Sequence, residues 1–248
     1  MDSKIHTLEV WGDLACFTRP EMKVERYSYP IMTPSAARAV FDAIYWKPKL
    51  RWQVARIETL SEPHYIALRR NEVKDKVPPA DTILKWAQGK KKPEPLWADG
   101  DRDSLGTDQR GRTQRQTMAL KKVRYRISAY IVPWSEYRGE IRGMDAQFLR
   151  HASHGQCIYQ PYLGCREFPA YFRPVESGES LAVPFPLDQN LGWMIYDVFD
   201  LSRPGTKYDL PRISLFRAVV RKGVLDVPDY ENHDVRKPPR EVQPCSTI

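Results

Sequence analysis

The stretch Val123-Arg124-Tyr125-Arg126-Ile127-Ser128-Ala129-Tyr130-Ile131 alternates without a break. Val123, Tyr125, Ile127, Ala129 and Ile131 fall on one side, and Arg124, Arg126, Ser128 and Tyr130 on the other. A period of two is the mark of a β-strand with one face in a core. Around it stand further strands, over Ile5–Trp11, Leu50–Ile57 and Tyr65–Val73, and two helices. The clearer helix starts at Thr33, a good N-cap, with Pro34 in the first turn and Ala37, Val40, Phe41 and Ile44 as its apolar stripe. Arg38 and Asp42 lie four apart on its polar side, and Lys47-Pro48 is expected to end it. A short helix is expected near 81–88 and another over Met144–Ser153. The order β-α-β-β-loop-β-α is close to the split βαβ pattern of ferredoxin-like folds, so the fold class is α+β.

Beyond Gly155 the texture changes to short strand-like pieces between Pro and Gly: Leu163–Phe172, Trp193–Phe199 and Ile213–Val220. The division expected is 1–155 for the ferredoxin-like domain, 156–228 for a β-rich C-terminal portion and 229–248 for a flexible tail. Of 248 residues 21 are proline, about 8.5% against a usual 5% or so, which speaks for turns and against a helical bundle. No apolar run approaches the ~20 residues of a membrane span, and the first residues lack the apolar core of a signal peptide. With four scattered cysteines, the expectation is a cytoplasmic protein with reduced thiols and no membrane partner.

The formal net charge is +8, which favours polyanionic partners. Its distribution is uneven. From Gln109 to Arg126 the chain carries Arg110, Arg112, Arg115, Lys121, Lys122, Arg124 and Arg126, with no acidic residue. Cations that neutralise phosphates give affinity without sequence specificity. Those on the strand share a face with an aromatic ring, an interleaving that suits single-stranded nucleic acid. The competing reading is a solvated basic face with no partner. His151, His154, Cys157 and Cys165 are spaced unlike any common zinc motif, so a helix-end histidine pair and two ordinary thiols is the preferred reading. No metal and no other cofactor is expected, and the phosphate-loop, nucleophile-elbow and zinc-protease motifs are missing. Tyr45, after the apolar stripe of the first helix, reads by default as amphipathic core.

Several blocks resemble the CRISPR-associated Cas-five family of subtype I-C. They are Trp11-Gly-Asp-Leu-Ala-Cys-Phe-Thr-Arg-Pro-Glu-Met-Lys-Val-Glu-Arg26, Thr33-Pro-Ser-Ala-Ala-Arg38, Ile44-Tyr-Trp-Lys-Pro48, Arg69-Arg-Asn-Glu-Val73 and Gln160-Pro-Tyr-Leu-Gly-Cys-Arg-Glu-Phe-Pro169. The resemblance implies a repeat-associated RNA-binding protein with an RRM-like N-terminal domain and a smaller β-rich C-terminal portion. It implies metal-free cutting of precursor crRNA at the base of the repeat hairpin, by attack of a ribose 2′-hydroxyl. The protein would then stay on the 5′ handle in the Cascade surveillance complex, beside the backbone and large subunits, and meet target DNA through that complex.

By the same resemblance Tyr45 takes part in catalysis. The family's other catalytic residues are a Lys-His pair after a glycine, where this chain has Gly143-Met144-Asp145. Arg142 would then supply the cation and His151 or His154 the proton-transfer group. Handle binding is expected of Arg19, Lys23, Arg26, Lys47, Arg69, Arg70 and the Arg110–Arg126 cations. The alternative is a subunit that holds the 5′ handle and does not cut; an unrelated basic RNA-binding module is the third reading.

Overall fold

The strand read from the alternation at 123–131 is the C-terminal half of a longer one, β5 (Arg112–Pro133), and the main sheet is built on it. In this computed structural model residues 4–22, 24–94, 96, 98, 105–106, 110–176, 178–206 and 209–239 are described. The other elements are β1 (His6–Ala15), β2 (Arg26–Tyr27), α1 (Pro34–Ile44), β3 (Leu50–Thr59), β4 (His64–Val73), α2 (Ala80–Ala87), α3 (Ile141–Ser153), β6 (Tyr171–Pro174), β7 (Gln189–Asp197), β8 (Ser214–Val220) and β9 (Val224–Asp226). The sheet runs β6-β1-β5-β3-β9, with β2 and β4 also paired to β5. Its β1–β5, β1–β6 and β3–β5 pairs are antiparallel. Counted as strands of a split βαβ unit, β1, β3, β5 and β6 are the first to fourth, and their order across the sheet is 4-1-3-2.

One side of this sheet carries the core. Leu8, Val10, Tyr125, Ile127, Ala129 and Trp52 are buried there, and α1 and α3 supply Phe41, Ile44, Met144 and Phe148. The rings of Phe41, Trp52 and Phe148 meet pairwise with centroids 4.7–5.7 Å apart. Such aromatic clusters add about 0.5–1.5 kcal/mol per pair beyond the area they bury. His6 packs on Trp52 and Phe148 and bonds through Nε2 to Asp145 Oδ1 at 2.6 Å. Burial lowers the His6 pKa, and the Asp145 hydrogen bond opposes that shift.

The chain divides into two compact units, one of residues 1–66 and 119–248 and one of residues 67–118. This is a different line from the expected 1–155, 156–228 and 229–248. Residues past 155 join the first unit because they complete its sheet and brace α1. The antiparallel β9 edge pairs with Arg56, Ile57 and Glu58 of β3. The separate β7–β8 pair is tied to α1 by Arg38 Nε, which donates to Asp197 Oδ2 at 2.6 Å. It is tied to β3 by Gln53 Nε2, which donates to the Tyr196 hydroxyl at 2.7 Å. Residues 229–239, expected in a flexible tail, are also held: Tyr230 is buried, and Leu215 and Arg236 exchange backbone hydrogen bonds of 2.9 and 2.8 Å. Residues 240–248 lie outside the described residues. The smaller unit holds most of β4, α2 and the first part of β5.

Candidate functional site

The site begins where α1 stops. Thr33 Oγ1 caps the helix by accepting from Ala36 N at 3.3 Å. The helix ends at Ile44, short of the expected Lys47-Pro48 stop, because Tyr45 turns extended at φ −150° and ψ 112°. The last carbonyls of a helix have no partner within it. Here three are met by distant residues: Ile158 N donates to Ala43 O at 2.6 Å, His151 Nδ1 to Ile44 O at 3.1 Å and Trp52 Nε1 to Tyr45 O at 2.8 Å. Together they fix the backbone on both sides of Tyr45.

The Tyr45 side chain lies against α3. Its hydroxyl donates to Gln147 Oε1 at 3.3 Å, and its ring meets that of His151 edge-on with centroids 5.7 Å apart. Gln147 and His151, four residues apart, share one side of the helix. Burial raises the Tyr45 pKa above its ordinary 10.0, and the charge of Glu140 raises it further. At neutral pH Tyr45 is therefore a phenol, a donor and not a base. His151 is fixed the other way: a carbonyl only accepts, so Nδ1 carries the proton, and in the neutral ring Nε2 keeps a lone pair.

Not every candidate joins this cluster. Arg142 is exposed on α3, five residues from Gln147, which puts it about 140° around the helix from that side chain. It makes no hydrogen bond or ion pair among the described residues. Lys49 donates from Nζ to both Glu140 oxygens at 3.0 Å and sits 4.7 Å from the Tyr137 ring centre. Lys47 and Trp46 are exposed. Where the resemblance looks for Lys and His, Met144 is buried in the core and Asp145 holds His6. His154 bonds Arg150 O at 2.7 Å, and no group of three or more metal-ligating side chains forms among the described residues. Cys16, Cys157 and Cys165 are free thiols.

The expected RNA-binding cations divide by what they touch. Arg126 is built into the fold: buried, it donates from Nη1 to Glu58 Oε2 at 2.5 Å and from Nη2 to Ala182 O at 2.7 Å. That contradicts its reading as a surface cation, and the physical reason is a segment at 182–185 that crosses this side of the sheet, with Phe185 N bonded to Thr59 O at 2.8 Å. Arg124 pairs with Glu9, which Arg173 also engages, yet Arg124 stays half exposed. Arg19 lies over Tyr29 at 4.7 Å and Arg26 faces Glu167 at 3.4 Å. Lys121 and Lys122 are exposed, Lys122 in the left-handed region at φ 52°. In the smaller unit Arg69, Arg110 and Arg112 are exposed, Arg115 is half-buried, and Arg70 bonds Glu72 at 2.6 Å. Lys23 lies outside the described residues. Gln147, Glu140 and Lys49 escaped the sequence reading; only the helical spacing of Gln147 to His151 could have signalled the first.

Sheet order and helix pair together define an α+β protein of the ferredoxin-like type. The model of the family described as CRISPR-associated protein (Cas_Cas5) matches residues 7–228, and the chain belongs to that family. It is 36% identical over 245 residues to the CRISPR pre-crRNA endoribonuclease Cas5d of Mannheimia succiniciproducens, covering 93% of this chain and 97% of that one. It is 37% identical over 236 residues to the protein of the same name from Thermus thermophilus, covering 89% and 90%. Among solved structures, the crystal structure of a CRISPR-associated protein shares the fold at TM-score 0.61 and 18% identity, over 94% of this chain and 97% of that one.

Proposed function

We propose that this protein binds the repeat hairpin of precursor crRNA, cleaves it without metal, and remains on the 5′ handle as a subunit of the Cascade complex. The observation that carries the reading is that two relatives, alike over about nine-tenths of this chain or more, bear the name CRISPR pre-crRNA endoribonuclease. The cluster at the end of α1 supports the assignment of roles. His151 Nε2 takes the proton of the ribose 2′-hydroxyl as the O2′–P bond forms. Tyr45 donates to the reacting phosphate and then gives its proton to the leaving O5′ as the P–O5′ bond breaks. The products are a 2′,3′-cyclic phosphate and a 5′-hydroxyl, and solvent restores both side chains. Lys47 and Lys49 supply positive charge. Because the Tyr45 ring is buried and its hydroxyl engaged by Gln147, RNA binding must open that contact.

Lys121, Lys122, Arg124 and the exposed arginines of residues 67–118 are the proposed phosphate contacts. The partners in this reading are precursor crRNA, the backbone and large subunits, and target DNA through the complex, in the cytoplasm. No helix among the described residues is long and apolar enough to cross a membrane. A second reading, a handle-binding subunit that does not cut, is favoured by the commitment of Met144 to the core and of Asp145 to His6.

The experiment is cleavage of the cognate repeat hairpin by purified protein in EDTA, beside Tyr45→Phe. Wild-type cutting to a cyclic phosphate, lost in a variant that still binds, is the result expected. Tight binding by the wild type with no cleavage assigns the second reading.

A further inference from the structure

Trp193, on β7, stands opposite Arg217 of β8 in the β7–β8 register. Leu215, two residues from Arg217 and therefore on the same side of β8, pairs on its other edge with Arg236. The three side chains converge. The guanidinium of Arg217 lies 5.2 Å from the Trp193 ring centre and that of Arg236 lies 4.4 Å from it. The other side of the pair, Met194, Tyr196, Phe216 and Ala218, is buried. The converging side chains line an open cavity of 610 Å³ shared with Asp226, Val227, Pro228, His233 and Asp234.

Two guanidinium groups gather at one indole here. Several arginines of the fold face carboxylates, as Arg38, Arg56, Arg124, Arg126, Arg173 and Arg212 do. Arg217 and Arg236 have no carboxylate partner among the described residues, although two lie in the same cavity wall. Both are exposed: Asp226 faces Arg56 at 3.0 Å, and Asp234 lies 3.4 Å from His233, an ion pair only when that histidine is protonated. Two like charges brought to one indole repel each other, and an anion bound between them relieves that. The planar fork of a guanidinium matches phosphate oxygens, and an indole beside it offers a base a stacking surface.

We propose that Trp193, Arg217 and Arg236 form a binding site for a phosphodiester and its base in single-stranded RNA, on the C-terminal strands and separate from the Tyr45 cluster. It rests on the RNA-binding reading above and adds to it a place for the unpaired part of the transcript. The site would hold single-stranded RNA that continues from the repeat hairpin.

The test is fluorescence anisotropy of two labelled RNAs with the full-length protein: the repeat hairpin alone, and the hairpin with a single-stranded extension. Each is titrated at several salt concentrations with wild type, Arg217→Gln/Arg236→Gln and Arg217→Lys/Arg236→Lys. For the extended RNA, the glutamine variant is expected to bind about 10-fold more weakly. Its plot of log K against log salt should be shallower by about 0.7 for each phosphate it no longer neutralises. The hairpin alone should bind both proteins alike, and the lysine variant should keep the wild-type slope, which also shows that the weaker binding is not misfolding. Equal affinity and equal slope for wild type and glutamine variant on the extended RNA overturns the site. Failure of the wild type to bind either RNA overturns instead the reading on which it rests.

Discussion

His151 sets its ring edge-on against Tyr45, centroids 5.7 Å apart, while its own Nδ1 caps the last helical carbonyl of α1 at Ile44. One side chain thus terminates the helix and defines the environment of the tyrosine that follows. The cap holds the imidazole in a single tautomer, and the unused Nε2 is the nitrogen available for proton transfer. Replacing His151 by asparagine, whose amide nitrogen takes the place of Nδ1, keeps a donor for Ile44 O and removes the base. Single-turnover cleavage by His151→Asn should fall about 10²–10⁴-fold, the usual share of a general base, with hairpin affinity within about threefold. An undiminished rate would remove His151 from the chemistry.

Tyr45 carries a separate expectation. Because burial and Glu140 raise its pKa, the phenol remains protonated through the neutral and mildly alkaline range. Loss of the donor in Tyr45→Phe should cost about 10²–10³ in rate, by a factor that does not change between pH 7 and 9. A Tyr45 acting as phenolate base would instead give a wild-type rate that climbs tenfold per pH unit over that range. The pH profile of the ratio decides between them.

Arg126 and Lys121 or Lys122 are equivalent cations in the sequence, and the fold separates them. Arg126 is buried against Glu58, and removing it leaves Glu58 only the half-exposed Arg56 at 3.8 Å; breaking a buried pair costs up to about 3–5 kcal/mol. Arg126→Ala should therefore lower the unfolding midpoint in urea sharply. Lys121→Ala/Lys122→Ala should leave it nearly unchanged, while weakening RNA binding and flattening its salt dependence. If Arg126→Ala folds as stably as wild type, neither the ion pair to Glu58 nor the bond to Ala182 O holds this part of the fold together.

That contrast shows what the sequence could and could not disclose. Alternation over 123–131 put Tyr125, Ile127 and Ala129 on the core side correctly, because a period of two needs only neighbouring residues. The capped stripe Ala37, Val40, Phe41 and Ile44 was equally legible, and with the strand order it yielded the α+β class. The fate of the polar face was not legible. Whether Arg126 meets water or Glu58 depends on a segment near Ala182, more than fifty residues away in the chain. The same holds for Tyr45: its place in the family pattern came from the Ile44–Pro48 block, but its partners Gln147 and His151 are fixed by the packing of α3 on α1. The C-terminal strands read as a separate portion because local pattern shows strands without showing that β9 completes the edge of the main sheet.

The buried triad Arg38, Asp42 and Asp197 makes a prediction about pH and stability. One guanidinium faces two carboxylates between α1 and β7. Burial pushes the Asp42 carboxyl up from 3.8 to about 6; Arg38 opposes the shift and the charge of Asp197 adds to it. Between about pH 4 and pH 6 the folded protein thus holds a proton at Asp42 that the unfolded chain has released. Linkage then makes folding more favourable in acid. The contribution is fully present below pH 4, is lost as pH rises through about 6, and is flat above. A rise of that size corresponds to roughly 3 kcal/mol. Asp42→Asn cannot release the proton, so its stability relative to wild type should rise from pH 4 to pH 7 by up to that amount. Urea denaturation of both proteins at half-unit pH steps measures it. Parallel stability curves would mean that Asp42 is ionised in the folded state throughout, with Arg38 fully compensating both acids.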